Sequence, residues 1–413
     1  MIYIKDKKEC CGCSACVQKC PKQCISLQED NEGFLYPIVD KETCINCGLC
    51  EKVCPVLHQD QPRKTLKAYA AINKNEEIRL QSSSGGVFTL LAEKIINEGG
   101  VVFGARFDDN WEVKHDYTDT IEGLAAFRGS KYVQSRIEDN FQKAENFLKE
   151  GHKVLFSGTP CQIAGLKRYL RKEYENLLTI DIICHGVPSP KVWNMYLKET
   201  CFKLLKNKPN ETEKSVSQMD ETYKSCIEAI SFRSKITGWK KYSFMLQLKT
   251  PDDNNENAVV FAEPFAENIF MRAFLSDIIL RPSCYECPAK QGKSHSDITI
   301  ADFWGIDKID PAFDDDKGCS AILLNTEKGE LCYPVKQIQY ENKSLNDVIL
   351  YNLAYYKNSK PHPMRKKFFM NLGGVAHLSQ YIPMTLKPTM RQKITKKINL
   401  YTKAIFRRIG ITK

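Results

Sequence analysis

The sequence predicts an α/β protein, α+β overall: a small cysteine-rich N-terminal domain, then a larger mixed α/β domain, then a basic amphipathic C-terminal helix. Three observations carry this. The pattern Cys-x-x-Cys-x-x-Cys-x-x-x-Cys-Pro occurs twice within the first 55 residues. Apolar strand-like runs ending in Gly, Ser and Thr turns and followed by helix-periodic stretches recur after residue 67. Apolar residues from Met390 to Ile409 recur at spacings of four and three among lysines and arginines.

The first repeat is Cys10, Cys13, Cys16, Cys20 and Pro21, and the second is Cys44, Cys47, Cys50, Cys54 and Pro55. Three thiolates two residues apart wrap one face of an iron–sulfur cube, and the fourth cysteine of each run ligates the other cluster. The run resembles the bacterial two-cluster ferredoxins. Cys10, Cys13, Cys16 and Cys54 are expected to hold one 4Fe-4S cluster, and Cys44, Cys47, Cys50 and Cys20 the other. A pair of zinc knuckles would need neither the third Cys-x-x step nor the Cys-Pro ending. Cys11 and Cys24 fall outside the pattern and read as bystanders.

Some 350 further residues suffice for one large or two ordinary domains. The 18 cysteines and an N-terminus without an apolar signal core point to a reducing, cytoplasmic setting. No apolar run is long enough to span a membrane. The net charge of +10 belongs to the tail: beyond Asp347 there are 14 Lys and Arg and no acidic residue. The basic balance therefore says little about the body, for which no nucleic-acid partner is expected. The tail helix is read as docking on the chain itself, on a partner, or on an anionic membrane face, which would make the protein peripheral to the inner membrane.

In chain order, residues 56 to 66 are polar and broken by proline, as a linker is. Lys67–Ile72 reads as a strand. Ser83, Ser84, Gly85 and Gly86 then precede a helix through Val87, Leu90, Leu91 and Ile95, either a plain cap or an anion cradle at a helix N-terminus. Strands follow at Val101–Phe107 and Trp111–Tyr117. The stretch Phe127 to Tyr132 presents Arg128 and Lys131 to a phosphate, a carboxylate or solvent. A helix from Ile137 to Lys149 leads to the strand Lys153–Phe156, the turn carrying Gly158, Thr159 and Cys161, and the helix Gln162–Leu170. The next strand, Leu177–Ile183, is expected to lie parallel and to end at Cys184. A helix around Trp193–Leu205, a polar insertion over 206–225, strands at Ile227–Phe232 and Tyr242–Leu248, and a helix over Phe265–Ser276 come next. Cys284 and Cys287 form a Cys-x-x-Cys pair that suits zinc, a redox dithiol or a third cluster. Cys161 and Cys184 end neighbouring strands, where ligands collect in open parallel sheets, so a third 4Fe-4S cluster on Cys161, Cys184, Cys284 and Cys287 is expected. Cys201, Cys226, Cys319 and Cys332 read as inert core thiols, and the chain beyond Asn358 as poorly ordered until Pro388.

The ordered series Ser83-Ser84-Gly85-Gly86, Gly129-Ser130-Lys131-Tyr132, Gly158-Thr159-Pro160-Cys161-Gln162, Cys184-His185-Gly186, Cys284-Tyr285-Glu286-Cys287 and Asp297 to Asp302 resembles the beta subunit of the coenzyme F420-reducing hydrogenases and formate dehydrogenases. The resemblance covers about residues 67 to 330. It implies a flavin-binding domain with FAD and a 4Fe-4S cluster, and FAD contacts among Ser83, Ser84, Gly85, Gly86, Lys131, Gly158 and Thr159. The expected division is 1–57 for the two-cluster domain, 67–150 and 151–335 for the two parts of the flavin and iron–sulfur domain, and 336–413 for the extension. The expected activity is an iron–sulfur flavoprotein oxidoreductase passing electrons between a donor such as ferredoxin or another electron-transfer subunit, its clusters, FAD and a small-molecule acceptor. A strict coenzyme F420 subunit and a non-catalytic electron relay are the alternatives, and no catalytic residue is singled out.

Overall fold

The computed structural model describes residues 1–206, 222–249, 259–333 and 336–387. Its N-terminal unit is built from α1 (Ala15–Gln18), a hairpin of β1 (Ile25–Glu29) and β2 (Leu35–Val39), and α2 (Leu49–Lys52). Each short helix carries the third cysteine of one repeat. The prolines after Cys20 and Cys54 stop both helices before they can close over the cysteine loops.

The body follows as β3 (Lys67–Asn73), α3 (Glu76–Gln81), α4 (Val87–Asn97), β4 (Val101–Phe107), β5 (Val113–Thr118), α5 (Asn140–Lys149), β6 (Val154–Gly158), α6 (Pro160–Leu170), β7 (Leu177–Ile182) and α7 (Pro190–Lys206). Then come β8 (Ile227–Ser234), β9 (Ser243–Leu248), β10 (Val259–Pro264), α8 (Ile269–Leu275), β11 (Ile298–Asp302), α9 (Ile306–Ile309), β12 (Ser320–Leu324), α10 (Glu327–Cys332) and β13 (Ile338–Lys343). The chain continues through α11 (Leu345–Tyr351), α12 (Arg365–Asn371) and α13 (Leu378–Leu386).

Eight strands form the central sheet in the order β13-β3-β12-β11-β7-β6-β4-β5, and β10-β9-β8 form a smaller antiparallel sheet. The pairs β4 with β6, β6 with β7 and β7 with β11 are parallel, as expected for β6 and β7. Because β12 runs antiparallel to both β11 and β3, five strands share one direction and end along one edge. The sheet crosses the expected boundary at residue 150, so 67–150 and 151–335 contribute to one sheet, with β13 added from beyond.

Strand alternation separates the two faces. Val102, Leu155 and Ile180 pack under α4, whereas Val101, Phe103, Val154 and Phe156 pack under α5 and α6. The second of these cores also contains Cys11, Cys13, Ala15 and Val53, so the N-terminal unit shares a core with the body. Residues 56–66 carry no regular structure and are fastened by Arg168 to Asp60 and by Arg63 to the His295 carbonyl.

Several expected elements differ. β5 starts at Val113 because Asp108 accepts from the Asn110 and Glu112 amides and holds Trp111 in a turn at φ 58°. α5 starts at Asn140 because Glu138 has φ 51°. α8 is short, its N-terminus fixed by Asn268 accepting from the Met271 amide. The stretch expected to be poorly ordered contains α12 and α13, whose Phe368, Leu378 and Ile382, together with Leu372 of the turn between them, are buried in the largest core. Most of the 206–225 insertion and the tail helix Met390–Ile409 lie outside the described residues. Among the described residues, no helix is long and apolar enough to cross a membrane.

Candidate functional site

Two cavities lie in the N-terminal unit, and each gathers thiols from both repeats. One is lined by Cys10, Cys13, Cys16 and Cys54 with Ile2, Ile4, Leu27, Pro37 and Val56. The other is lined by Cys44, Cys47, Cys50 and Cys20 with Ile25 and Val39. Three thiols of one run and the fourth of the other thus meet, the partition expected from the spacing. Backbone N–H groups face the sulfurs: Ile2 donates to Cys50 Sγ at 3.3 Å and Asn46 to Cys44 Sγ at 3.4 Å. Burial, and then the neighbouring Cys10, Cys54 and Cys50, push the Cys16 thiol up to about 12. The second cavity meets solvent at the exposed Cys47 and at Ile45, which is 58% exposed.

Cys11 and Cys24, expected as bystanders, line the two cavities. Cys24 is buried, lines the second cavity and sits 3.4 Å from Cys20 Sγ. Cys11 is buried, lines the first, and its thiol lies against those of Cys13 and Cys161. No spacing rule would have found either, since both gain their neighbours from packing.

The third cysteine set collects at the carboxyl edge of β6 and β7. Cys161 is the second residue of α6, behind Pro160 and inside a capping box of Thr159 and Gln162. Thr159 Oγ1 lies 3.3 Å from Cys161 Sγ. Cys184 leaves the end of β7. Cys284 and Cys287 come from a 3₁₀ turn over Pro282–Glu286, with the Val187 N–H donating to Cys284 Sγ at 3.4 Å. Burial raises the Cys184, Cys284 and Cys287 thiols, Cys284 to about 12 and Cys287 to about 11, and each of these three feels others of the set: Cys184 responds to Cys284, Cys161 and Cys287. Cys161 is raised first by its hydrogen bond with Cys11 and then by burial. Among the described residues, no three His, Cys, Asp or Glu side chains converge closely enough to hold a single metal ion. Cys201 and Cys319 are buried in apolar surroundings, whereas Cys226 and Cys332 are half-buried.

The first cavity and the third set adjoin through α6. A Cβ on Gly165 would lie 2.9 Å from Cys13 Sγ, so the glycine lets the helix carrying Cys161 rest directly on the ferredoxin-like loop. Arg281 crosses the same seam. Its Nε donates to the Cys10 carbonyl at 2.7 Å, one Nη to Gln134 Oε1 at 2.8 Å, and the other to the Leu35 carbonyl at 2.9 Å and towards Cys10 Sγ at 3.5 Å. Gly12, at φ +73°, leaves room for this fork: a Cβ there would meet Arg281 Nη1 at 2.9 Å and Gln134 Nε2 at 2.6 Å.

Along the same edge lie the residues expected to meet a flavin. Gly86, at φ 80°, is the N-cap of α4, and no side chain caps the first amides of that helix. The preceding loop is stitched to the start of β12: Ser84 Oγ donates to the Cys319 carbonyl at 2.7 Å, and Ser320 Oγ accepts from the Gly85 amide at 2.9 Å. Ser83 Oγ accepts from the Ser130 amide, which joins the two loops. The α4 N-terminus therefore fits an anionic group, but the Gly85 amide is already engaged. Lys131, expected to help hold a phosphate, is engaged within its own loop. Its ammonium donates to the Ala126, Arg128 and Gly129 carbonyls, and burial, helped by Arg106, lowers its pKa to about 7. Thr159 and Gly158 sit with Cys161 and Gln162, where Thr159 serves the capping box.

A buried group at the end of β11 completes the edge. Arg233 pairs with Asp302 at 2.7 Å, donates to Tyr132 Oη at 3.1 Å and lies over the Tyr242 ring at 4.0 Å, while its Nε has no hydrogen-bond partner among the described residues. Trp239 donates to Asp302 and stacks on Trp304 at 5.1 Å. Lys235 ties Ser84, Arg79 and Lys317 carbonyls together. Arg233 and Trp239 were visible in the sequence only as polar and aromatic residues beside a strand.

A small iron–sulfur unit fused into the core of a mixed α/β sheet, whose carboxyl edge carries further cysteines, defines an electron-transfer oxidoreductase class. Family models match in the same order. The 4Fe-4S dicluster domain matches residues 9–57, the N-terminal part of the coenzyme F420 hydrogenase/dehydrogenase beta subunit matches residues 68–139, and its C-terminal part matches residues 151–346. The chain belongs to the coenzyme F420 hydrogenase/dehydrogenase beta-subunit family and carries a 4Fe-4S dicluster domain. A search of curated proteins returns no match. Among solved structures, the chain is similar to one from the F420-reducing NiFe hydrogenase complex of Methanosarcina barkeri, at 15% identity and a TM-score of 0.41, covering 79% of this chain and 91% of that one.

Proposed function

We propose that the chain is an iron–sulfur flavoprotein oxidoreductase that takes electrons from a low-potential donor such as ferredoxin and delivers them to a small-molecule acceptor. The observation that carries this is the serial arrangement of thiol sets. Cys44, Cys47, Cys50 and Cys20 meet solvent, Cys10, Cys13, Cys16 and Cys54 lie inward, and Cys11 and Gly165 bring the inner set against Cys161 of the third. A line of redox centres from surface to sheet edge suits transfer, whereas zinc in the third set would end it. The two N-terminal sets fit 4Fe-4S clusters by their donor chemistry, and the third set of four thiols fits a further cluster.

The family suggests FAD, and the carboxyl edge supports it at the α4 N-terminus beyond Gly86, with the Arg233, Tyr132, Tyr242 and Trp304 group beside it. Flavin, when bound, interconverts one-electron and two-electron chemistry. The chain's own part is to exclude water with the aromatic group, to hold Arg233 fixed through Asp302, and to keep the Ser83–Gly86 loop rigid through Lys235 and Ser320. The proposed donor side is the face around Cys47, and the protein is proposed to act in the cytoplasm.

The test is anaerobic purification followed by flavin and iron analysis and steady-state assay with reduced viologen and candidate acceptors. Bound FAD with turnover by the single chain supports the reading. A chain lacking flavin, or one that turns over only when joined to another subunit, would make it a relay, and turnover restricted to the deazaflavin coenzyme would narrow it to the strict family activity.

A further inference from the structure

Arg281 is fully buried at 0% exposure, and among the described residues no carboxylate pairs with it. Its partners are the Cys10 carbonyl and sulfur, the Gln134 amide oxygen and the Leu35 carbonyl, and its guanidinium also covers the Tyr36 ring at 4.4 Å. Burying a cation without a counter-ion is costly, so a permanent guanidinium in such a place needs negative charge nearby. The nearest candidates are sulfurs: Cys10 and Cys11 on the N-terminal side, and Cys284 three residues along its own chain. Four thiolates around an iron–sulfide cube leave a net negative assembly, which supplies that charge when the site is loaded.

We infer that Arg281 is a positioning residue that raises the reduction potential of the inner ferredoxin-like cluster, the one held through Cys10, and so favours an electron resting at the seam with the third cysteine set. The inference rests on the iron–sulfur reading above. Reduction adds one electron to an already anionic centre, and a fixed positive charge with an N–H directed at a ligand sulfur stabilises the more negative state. Cys44, Cys47, Cys50 and Cys20 have no guanidinium in their cavity lining among the described residues: the cations there are the exposed Lys22 and the Met1 ammonium, which is paired with Glu51 at 3.2 Å. The local structure is built to receive the guanidinium: Gly12 clears its path, Gln134 braces it while also donating to the Cys11 carbonyl, and Phe34 and Tyr36 shield it from water.

The experiment is a dithionite titration monitored by electron paramagnetic resonance on the full chain, the Arg281→Gln and Arg281→Lys variants, each with iron analysis. Arg281→Gln is expected to keep its iron and to lower the midpoint of one N-terminal cluster while leaving the other in place. Repeating it on a Cys47→Ser background, which alters the outer cluster's signal, should leave the shift on the unaltered signal. Arg281→Lys keeps the charge but not the fork, and should shift the same midpoint less. Unmoved midpoints, or equal shifts of both clusters, overturn the inference. Should Arg281→Gln lose iron, Arg281→Lys decides: iron retained with a midpoint at or slightly below the wild-type value supports a charge effect, whereas lost iron assigns Arg281 to a purely structural strut. A wild-type chain without ferredoxin-type signals would instead sink the iron–sulfur reading itself.

Discussion

Asp181 shows how single residues in this sheet balance burial against bonding. It sits in β7, is 3% exposed, and accepts from Ser294 Oγ at 2.5 Å and Thr299 Oγ1 at 2.6 Å. Burial outweighs those bonds and pushes its carboxyl up to about 6 from an ordinary 3.8. The folded state therefore favours the protonated form. The group's contribution to stability is greatest below about pH 4, falls as the pH rises through about 6, and is level above that, a loss on the order of 2–3 kcal/mol. Asp181→Asn should flatten that part of the stability profile, and denaturant unfolding between pH 4 and 7 would show it. A wild-type profile without the slope would mean that the site admits solvent. At this scale the sequence was legible wherever spacing alone sets chemistry, as for the eight repeat cysteines. It read Cys11 and Cys24 as bystanders and was silent on Arg281, whose partners Cys10 and Gln134 lie more than 100 residues away, and it did not convey that the Lys131 loop turns the ammonium back onto its own carbonyls.

Elements whose periodicity runs long enough to register, such as α4, α6 and the strands β4, β6 and β7, stand close to their expected ranges. α12 and α13 did not register because they are 7 and 9 residues long, are separated by Gly373 and Gly374, and in α13 carry Pro383. Isolated helices of that length are marginal in water, and burial decides them. Phe368 is 0% exposed, stacks on Tyr381 at 5.1 Å and meets Phe369 edge-on. Phe368→Ala should cost about 3–5 kcal/mol through the cavity it leaves. Thermal unfolding of the variant would reveal this as a large drop in Tm, and an unchanged Tm would mean that α12 is not integral to the core. Arg365 at the start of α12 also forks onto Glu32 in the β1–β2 turn, with contacts of 3.1 and 2.6 Å, so the C-terminal helices help fix the N-terminal unit. β10 went unseen because it follows a polar stretch and pairs only at the edge of the small sheet.

The whole molecule is organised around the carboxyl edge of five parallel strands. The expectation that Cys161 and Cys184 meet there came from strand order; in the structure Cys161, Cys184, Cys284 and Cys287 lie near enough along that edge to feel one another electrostatically, and a shared cluster on them is the proposal. What sequence could not convey is that the N-terminal unit is not a tethered module: it shares a core with α5 and α6, which sets its inner cysteines against the third set. The central claim is that this third set is an iron–sulfur centre in series with the other two. The direct measurement is iron content and electron paramagnetic resonance of a chain in which Cys284 and Cys287 are both changed to serine. The account predicts a loss of about four irons per chain, with both N-terminal signals retained and electron flow to flavin broken. An unchanged iron count in that double variant would contradict it.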